Sequence, residues 1–221
     1  MDLRVAADAR AAADEAAAWT ATQLRNAVQR RGRAAIAVSG GSTPAMMFAA
    51  LAAAPVPWRK VSVFQVDERV APDGDPARNA ALLALLPADA TVVAMDVTAA
   101  DLHDAARRYA ELLPSQFDVV HLGLGDDGHT ASWAPGDPVV RSTARVGITG
   151  PYRGHVRMTL TPSAVNGARH RVVLAAGADK AAPLEGWLLD AADLPVRRVR
   201  SSGTVVVVDV AAAARLPGVG G

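Results

Sequence analysis

The sequence predicts an α/β fold, three layers deep (α/β/α), with a mostly parallel central sheet. Two observations predict it: short, continuously apolar runs alternate with helix-like stretches, and three of those runs end in turns rich in glycine or charge. Unbroken apolar runs are the mark of strands buried on both faces, as in parallel sheets covered by helices. In an open, Rossmann-like sheet of this kind, ligands bind beyond the carboxyl ends of the strands, so the three turns are expected on one rim.

The elements follow in order. A helix is expected over residues 6–31, where Trp19, Leu24 and Val28 recur at about helical spacing and Gly32 ends the run. Residues 34–39 (AAIAVS) read as a strand that stops at Gly40 and Gly41, after which Thr43 and Pro44 open a second helix. Residues 61–66 (VSVFQV) read as a strand followed by Asp67, Glu68 and Arg69. A helix over 76–86, a short apolar run at 91–94 and a helix over 99–113 lead to a strand at 117–122 (FDVVHL). That strand ends in Gly123, Gly125, Asp126, Asp127, Gly128 and His129. Strands near 155–160, 171–176 and 204–208, helices near 162–168 and 179–189, and a short terminal helix complete the pattern. No repeat, linker or shift in composition marks a boundary, so residues 1–221 are expected to form a single domain.

Composition narrows the functional classes. The 221 residues are 51% hydrophobic and 20% charged, as in a globular protein, and the formal net charge is only +1. No global field draws such a chain to nucleic acid or to a membrane surface, so any anion recognition is local. The absence of cysteine excludes disulfides, thiolate metal sites and a cysteine nucleophile. With no secretory h-region and no membrane-spanning run, the expectation is a cytoplasmic protein, by default a monomer.

Gly40, Gly41, Ser42 and Thr43 offer free backbone N–H groups and two hydroxyls at a helix N-terminus, which suits a phosphate; the plainer alternative is a tight turn with Thr43 as N-cap. The Walker ending is absent, and Pro44 stands where a nucleophile elbow needs glycine. Gly123, Gly125 and Gly128 match G-x-G-x-x-G, yet Asp126 and Asp127 would set carboxylates beside a pyrophosphate, and Pro135 cuts short the helix that should follow. A dinucleotide cofactor is therefore not expected. His129 lies two residues after Asp127 and just past a glycine turn, where a neighbouring carboxylate can orient an imidazole as a base. His103, His121, His155 and His170 have no such setting, and no H-E-x-x-H spacing suggests a metal. Arg69 offers a permanent cation to an oxyanion or phosphate and Asp67 a group to orient it, although charges at a strand end are often merely solvated. Lys180 and Arg157 are further candidates for a phosphate.

In order, SGGSTP at Ser39, FQVDERVAP at Phe64, RNAALLALLP at Arg78, GLGDDGHTASWAPG at Gly123, RMTLT at Arg157 and GADKAAPL at Gly177 resemble the 6-phosphogluconolactonase family across most of the chain. The resemblance implies the fold shared with amino-sugar phosphate isomerase-deaminases and hydrolysis of 6-phospho-D-glucono-1,5-lactone without cofactor or metal. It implies His129 as general base held by Asp127, Arg69 with Asp67 at the developing charge, and Gly40, Gly41, Ser42, Thr43, Lys180 and Arg157 around the phosphate. The chain departs from the family pattern at Ala77-Arg78, where serine commonly precedes the asparagine, and at Trp133-Ala134, which replace Leu-Phe. Both are expected to bear on how the pocket wall packs. Two alternatives stand beside this reading. A deaminase resembles Asp-Glu-Tyr after the second strand and Phe-Asn-Glu-Pro after the histidine, where this chain has Arg69 and Ser132-Trp133-Ala134-Pro135. A non-catalytic sugar-phosphate sensor would have lost the base, and His129 is present.

Overall fold

The computed structural model describes residues 1–190 and 192–218. Its elements run β1 (Asp2–Ala6), α1 (Ala9–Arg31), β2 (Ala34–Val38), α2 (Ser42–Ala53), β3 (Val61–Gln65), β4 (Asp67–Arg69), β5 (Thr91–Val93), α3 (Leu102–Leu112), β6 (Val119–Gly123), β7 (Val146–Ile148), β8 (Arg157–Leu160), α4 (Pro162–Asn166), β9 (His170–Ala175), α5 (Ala181–Leu188) and β10 (Thr204–Asp209).

Seven strands form a wholly parallel sheet in the order β1-β10-β9-β6-β2-β3-β5. From β2 the chain steps outward to β3 and β5, and from β6 it steps the other way to β9 and β10. The direction reverses between β2 and β6. At such a switch point the connections leave on opposite faces of the sheet and open a crevice above the strand ends. Alternate residues of the buried strands feed two cores. Ile36, Val38, Val205 and Val207 pack with α1 and α2, while Ala37, Val206 and Val208 pack with residues of α3 and α5 such as Tyr109 and Trp187. This is the expected α/β/α layering.

The alanines of α1 carry more packing information than composition suggests. Ala12, Ala13, Ala16, Ala17 and Ala21 are all buried, and their small side chains let the helix lie close on α2 and the sheet. Asp8 caps the helix by accepting from Ala11 N–H at 2.8 Å, and Gly32 ends it in the left-handed region at φ 72°.

The structure differs from the expectations at four places. The first helix begins at Ala9, because Asp2–Ala6 is a strand that finds its partner, β10, some two hundred residues away. The stretch expected as a helix over 76–86 is a 3₁₀ segment, Asn79–Leu85, pinned at its start by Glu68. The strand expected near 155–160 forms as β8, but it joins β4 and β7, neither of them expected as a strand, in a second, antiparallel sheet, β4-β8-β7. Only Val66 separates β4 from β3, and its backbone bridges the sheets: its N–H donates to Val38 O at 2.9 Å and its carbonyl accepts from Leu160 N–H at 2.7 Å. The terminal helix is replaced by turns after Asp209, and residues 219–221 lie outside the described ones. Among the described residues no helix is long and apolar enough to cross a membrane.

Candidate active site

The loops that leave β2, β4, β6 and β9, with the segment that enters β8, converge over the switch point on a cavity of about 310 Å³. Gly40, Gly41, Ser42, Thr43, Asp67, Arg69, His129, Arg157 and Lys180 all line it, and Asp127 stands behind His129. Every residue singled out in the sequence is thus brought to one place.

The first wall is the turn after β2. A Cβ on Gly40 would fall 2.0 Å from Asn79 Oδ1, and Gly41 adopts φ 129°, so this close approach of loop and side chain requires glycine at both positions. Thr43 is not the N-cap. Gly41 holds that position without a side-chain capping bond, and Ser42 and Thr43 both line the cavity. The first turn of α2 carries no acidic residue, and its N–H groups and dipole favour an anion there.

Beneath this turn lies His121, one of the histidines without a functional setting, and it is wholly buried. Its Nδ1 accepts from Ser39 N–H at 3.4 Å, and Nε2 meets no hydrogen-bond partner among the described residues. Burial pushes this imidazole down to about 4, from an ordinary value of 6.5. The fold therefore favours the neutral ring. That contribution is complete above about pH 6.5 and is lost as pH falls toward about 4, with a limiting loss on the order of 3 kcal/mol. Urea midpoints compared at about pH 7.5 and about pH 4.5 should drop further for the native chain than for His121→Gln. Equal drops would remove this account.

The second wall is the antiparallel sheet. In register, Asp67 faces Thr159 and Arg69 faces Arg157. Two guanidiniums directly opposite one another repel, and Nε of each has no hydrogen-bond partner among the described residues. An anion in the cavity would relieve the repulsion. Asp67 is itself buried and accepts from Ser132 Oγ at 2.6 Å; burial raises its pKa, against the opposing pull of Ser132, Arg69 and Arg157. The alternative of solvated strand-end charges therefore fails. Glu68 points the other way and is also buried, with its carboxylate accepting from Gln65 Nε2 and from the N–H groups of Arg69, Asn79 and Ala80 at 2.7–2.8 Å. Arg78, which replaces the serine of the family pattern, pairs with Glu68 at 3.2 Å. Trp133 is buried and donates from Nε1 to Leu160 O at 2.8 Å. Neither departure lines the cavity itself; both pack behind its wall, where Ala77 O accepts from Arg69 Nη1 at 2.5 Å.

The third wall carries the histidine. His129 Nδ1 lies 2.6 Å from Asp127 Oδ1, and Tyr152 donates its hydroxyl to Asp127 Oδ2 at 2.5 Å. Burial raises the Asp127 carboxyl, but the bonds from Tyr152 and His129 outweigh it and hold the group at about 2. The Tyr152 phenol, buried beside that carboxylate, is pushed up to about 12 and stays protonated. With Nδ1 engaged, the nitrogen left to act on a ligand is Nε2, which has no hydrogen bond to a described residue. Asp126, Asp127 and His129 place metal-type donor atoms within 4.8 Å of one another. In this group, however, Asp127 and His129 bond to each other and Asp126 is taken by Arg153, an arrangement that orients an imidazole. Downstream of Gly123–Gly128 the chain runs in turns, so the loop lacks the helix N-terminus a pyrophosphate needs.

Lys180 precedes α5 and pairs with Asp179 at 2.6 Å, on a turn anchored by Gly177 N–H donating to Asp209 at 3.0 Å. Sequence reasoning misses Tyr152, Arg153, Asn79 and Ser132. Tyr152 and Arg153 sit in a Gly-Pro-rich stretch that reads as plain loop, and only an aromatic residue in such a turn hints at more.

Comparison with known proteins agrees with this geometry. The family profile described as glucosamine-6-phosphate isomerases/6-phosphogluconolactonase matches residues 7–208. A 6-phosphogluconolactonase of Streptomyces coelicolor is 35% identical over 236 residues, covering 93% of this chain and 90% of its own. One from Synechocystis sp. is 34% identical over 204 residues, covering 84% and 85%. The crystal structure of a 6-phosphogluconolactonase from Shewanella baltica superposes with a TM-score of 0.86 at 28% identity, covering 95% of this chain and 97% of that one. A profile match over nearly the whole length, on a sheet and a site of the expected form, shows that this chain belongs to the glucosamine-6-phosphate isomerase/6-phosphogluconolactonase family.

Proposed function

We propose that the chain is a single-domain, cytoplasmic, monomeric enzyme that hydrolyses 6-phospho-D-glucono-1,5-lactone to 6-phospho-D-gluconate in the oxidative pentose phosphate pathway. The observation that carries the reading is the His129–Asp127 pair facing, across one cavity, a helix N-terminus and two arginines that share the single buried carboxylate of Asp67. His129 Nε2 accepts a proton from water as the water oxygen attacks the lactone carbonyl, and Asp127 stabilises the imidazolium that forms. Arg69, oriented by Asp67, stabilises the oxyanion of the tetrahedral intermediate. Collapse breaks the bond to the ring oxygen, which takes the proton back from His129 and leaves as the C5 hydroxyl. Gly40, Gly41, Ser42, Thr43 and Lys180, with Arg157 nearby, hold the phosphate at the far end of the cavity and so fix the carbonyl relative to the base. The acid that a deaminase would need after the histidine is absent, since Ser132-Trp133-Ala134-Pro135 stands in its place. Purified protein should consume freshly generated lactone faster than its spontaneous hydrolysis, as followed by acid release. A rate no higher than background would end this reading.

Tyr152 acts through Asp127 as a positioning residue. Its hydroxyl draws charge from the carboxylate, so Tyr152→Phe leaves more of that charge to stabilise a protonated His129. The acidic limb of the kcat/KM profile should move to higher pH, with KM changed little. A uniform loss of rate with an unmoved profile would assign Tyr152 a merely structural role.

A further inference from the structure

At the opposite end of the sheet, below the amino ends of β6, β9 and β10 and beside the last turn of α1, lies a second cavity of about 630 Å³. Arg30, Arg31, Arg169, Arg171 and Arg200 line it, against a single carboxylate, Asp118. Asp118 is already shared. It accepts from Arg31 Nη2 at 2.5 Å and from Ala35 N–H at 2.9 Å, with Arg169 Nε at 3.4 Å. Arg171 is 1% exposed, and its guanidinium donates to Thr204 Oγ1 and Ala168 O, both at 2.9 Å, and to Ser202 O. Among the described residues it has no carboxylate partner. Arg30 and Arg200 are exposed on the rim and likewise form no ion pair with a described residue.

Burying or crowding cations without counter-charge is costly, and a chain with a net charge of only +1 has no general excess that would explain it. The carboxyl end of α1 adds only a partial negative charge. The local potential also shows in His170, whose pKa is lowered by burial and, next, by Arg171. Guanidinium forks match phosphate oxygens in pairs, and the volume suits a small molecule. A concave site without exposed aromatic rings is a poor platform for a nucleic-acid strand, which needs bases to stack.

We propose that this cavity binds a compact diphosphate, either inorganic pyrophosphate or the diphosphate of a nucleotide, at a site separate from the catalytic cavity. Arg30 and Arg200 close on the outer oxygens, with Arg31 and Arg169 behind them. Because both cavities attract anions, the test compares variants of each. Calorimetric titration of the whole chain at low salt, first with pyrophosphate and then with ADP, should show binding that persists in Arg69→Ala. In the Arg30→Ala/Arg200→Ala double variant, affinity should fall at least about tenfold, as expected for losing hydrogen bonds to charged groups. Both substituted side chains are exposed, so the double variant should keep its thermal midpoint and its lactone activity. Tighter binding of ADP than of pyrophosphate identifies the nucleotide as the source, and equal binding identifies the free diphosphate. Binding lost in Arg69→Ala, retained in the double variant, or absent from the native chain overturns the proposal.

Discussion

His129→Ala removes the acceleration of lactone hydrolysis, lowering kcat/KM by about 10²- to 10⁴-fold, the usual worth of a positioned general base. The reason is local. Water at neutral pH is too weak a nucleophile for the carbonyl unless its proton leaves as the bond forms, and His129 is the one imidazole among the described groups lining the cavity, whose carboxylates Asp126 and Asp179 are held by Arg153 and Lys180. Arg69, Arg157 and Lys180 are cationic, and Asp67 is tied to Ser132. The side chain is partly exposed, 19%, and its removal creates no deep core cavity, so the thermal midpoint should change little. Binding of phosphogluconate should persist, because the groups proposed to hold the phosphate belong to other loops. A variant that keeps the native rate would place the base elsewhere. One that loses rate and product affinity together would show that His129 serves binding, not proton transfer.

Gly125→Ala should come close to the same loss without touching the base itself. A Cβ there would stand 1.9 Å from His129 Nδ1 and 2.1 Å from Cε1, distances at which two atoms cannot coexist. The ring is a side-chain terminus and can swing away, so the strain is relieved by displacing the imidazole from Asp127. Backbone geometry does not forbid alanine, since Gly125 is not among the positive-φ residues. The expected pattern is a kcat at least about a hundredfold lower, in line with the effect of misplacing a reacting group by about 1 Å, with near-native folding. A native rate in Gly125→Ala, or a structure of that variant with the imidazole still on Asp127, would contradict the packing of His129 on Gly125.

Much of the site is legible in the residues alone. Ser39 to Thr43, Asp67 to Arg69, Gly123 to His129 and Lys180 each lie directly after an apolar run, and in a parallel sheet every such position reaches the same rim. Tyr152 and Asn79 are not legible, because nothing in a Gly-Pro loop or beside an arginine tells which distant carboxylate or glycine the side chain will meet. Arg78 and Trp133 read in sequence as alterations of the pocket wall. In the fold they serve buried partners, Glu68 and Leu160.

By itself the sequence determined the layered parallel fold, the helix limit at Gly32, the glycine-bearing turns and the pairing of Asp127 with His129, since all of these depend on local pattern and near neighbours. Tertiary structure alone decided that Asp2–Ala6 joins the sheet edge, that Asp67–Arg69 pairs with Arg157–Leu160, and that Tyr152 completes the setting of His129. Those outcomes rest on contacts between segments far apart in the chain, whose energies depend on which surfaces the fold brings together and not on the residues read one stretch at a time.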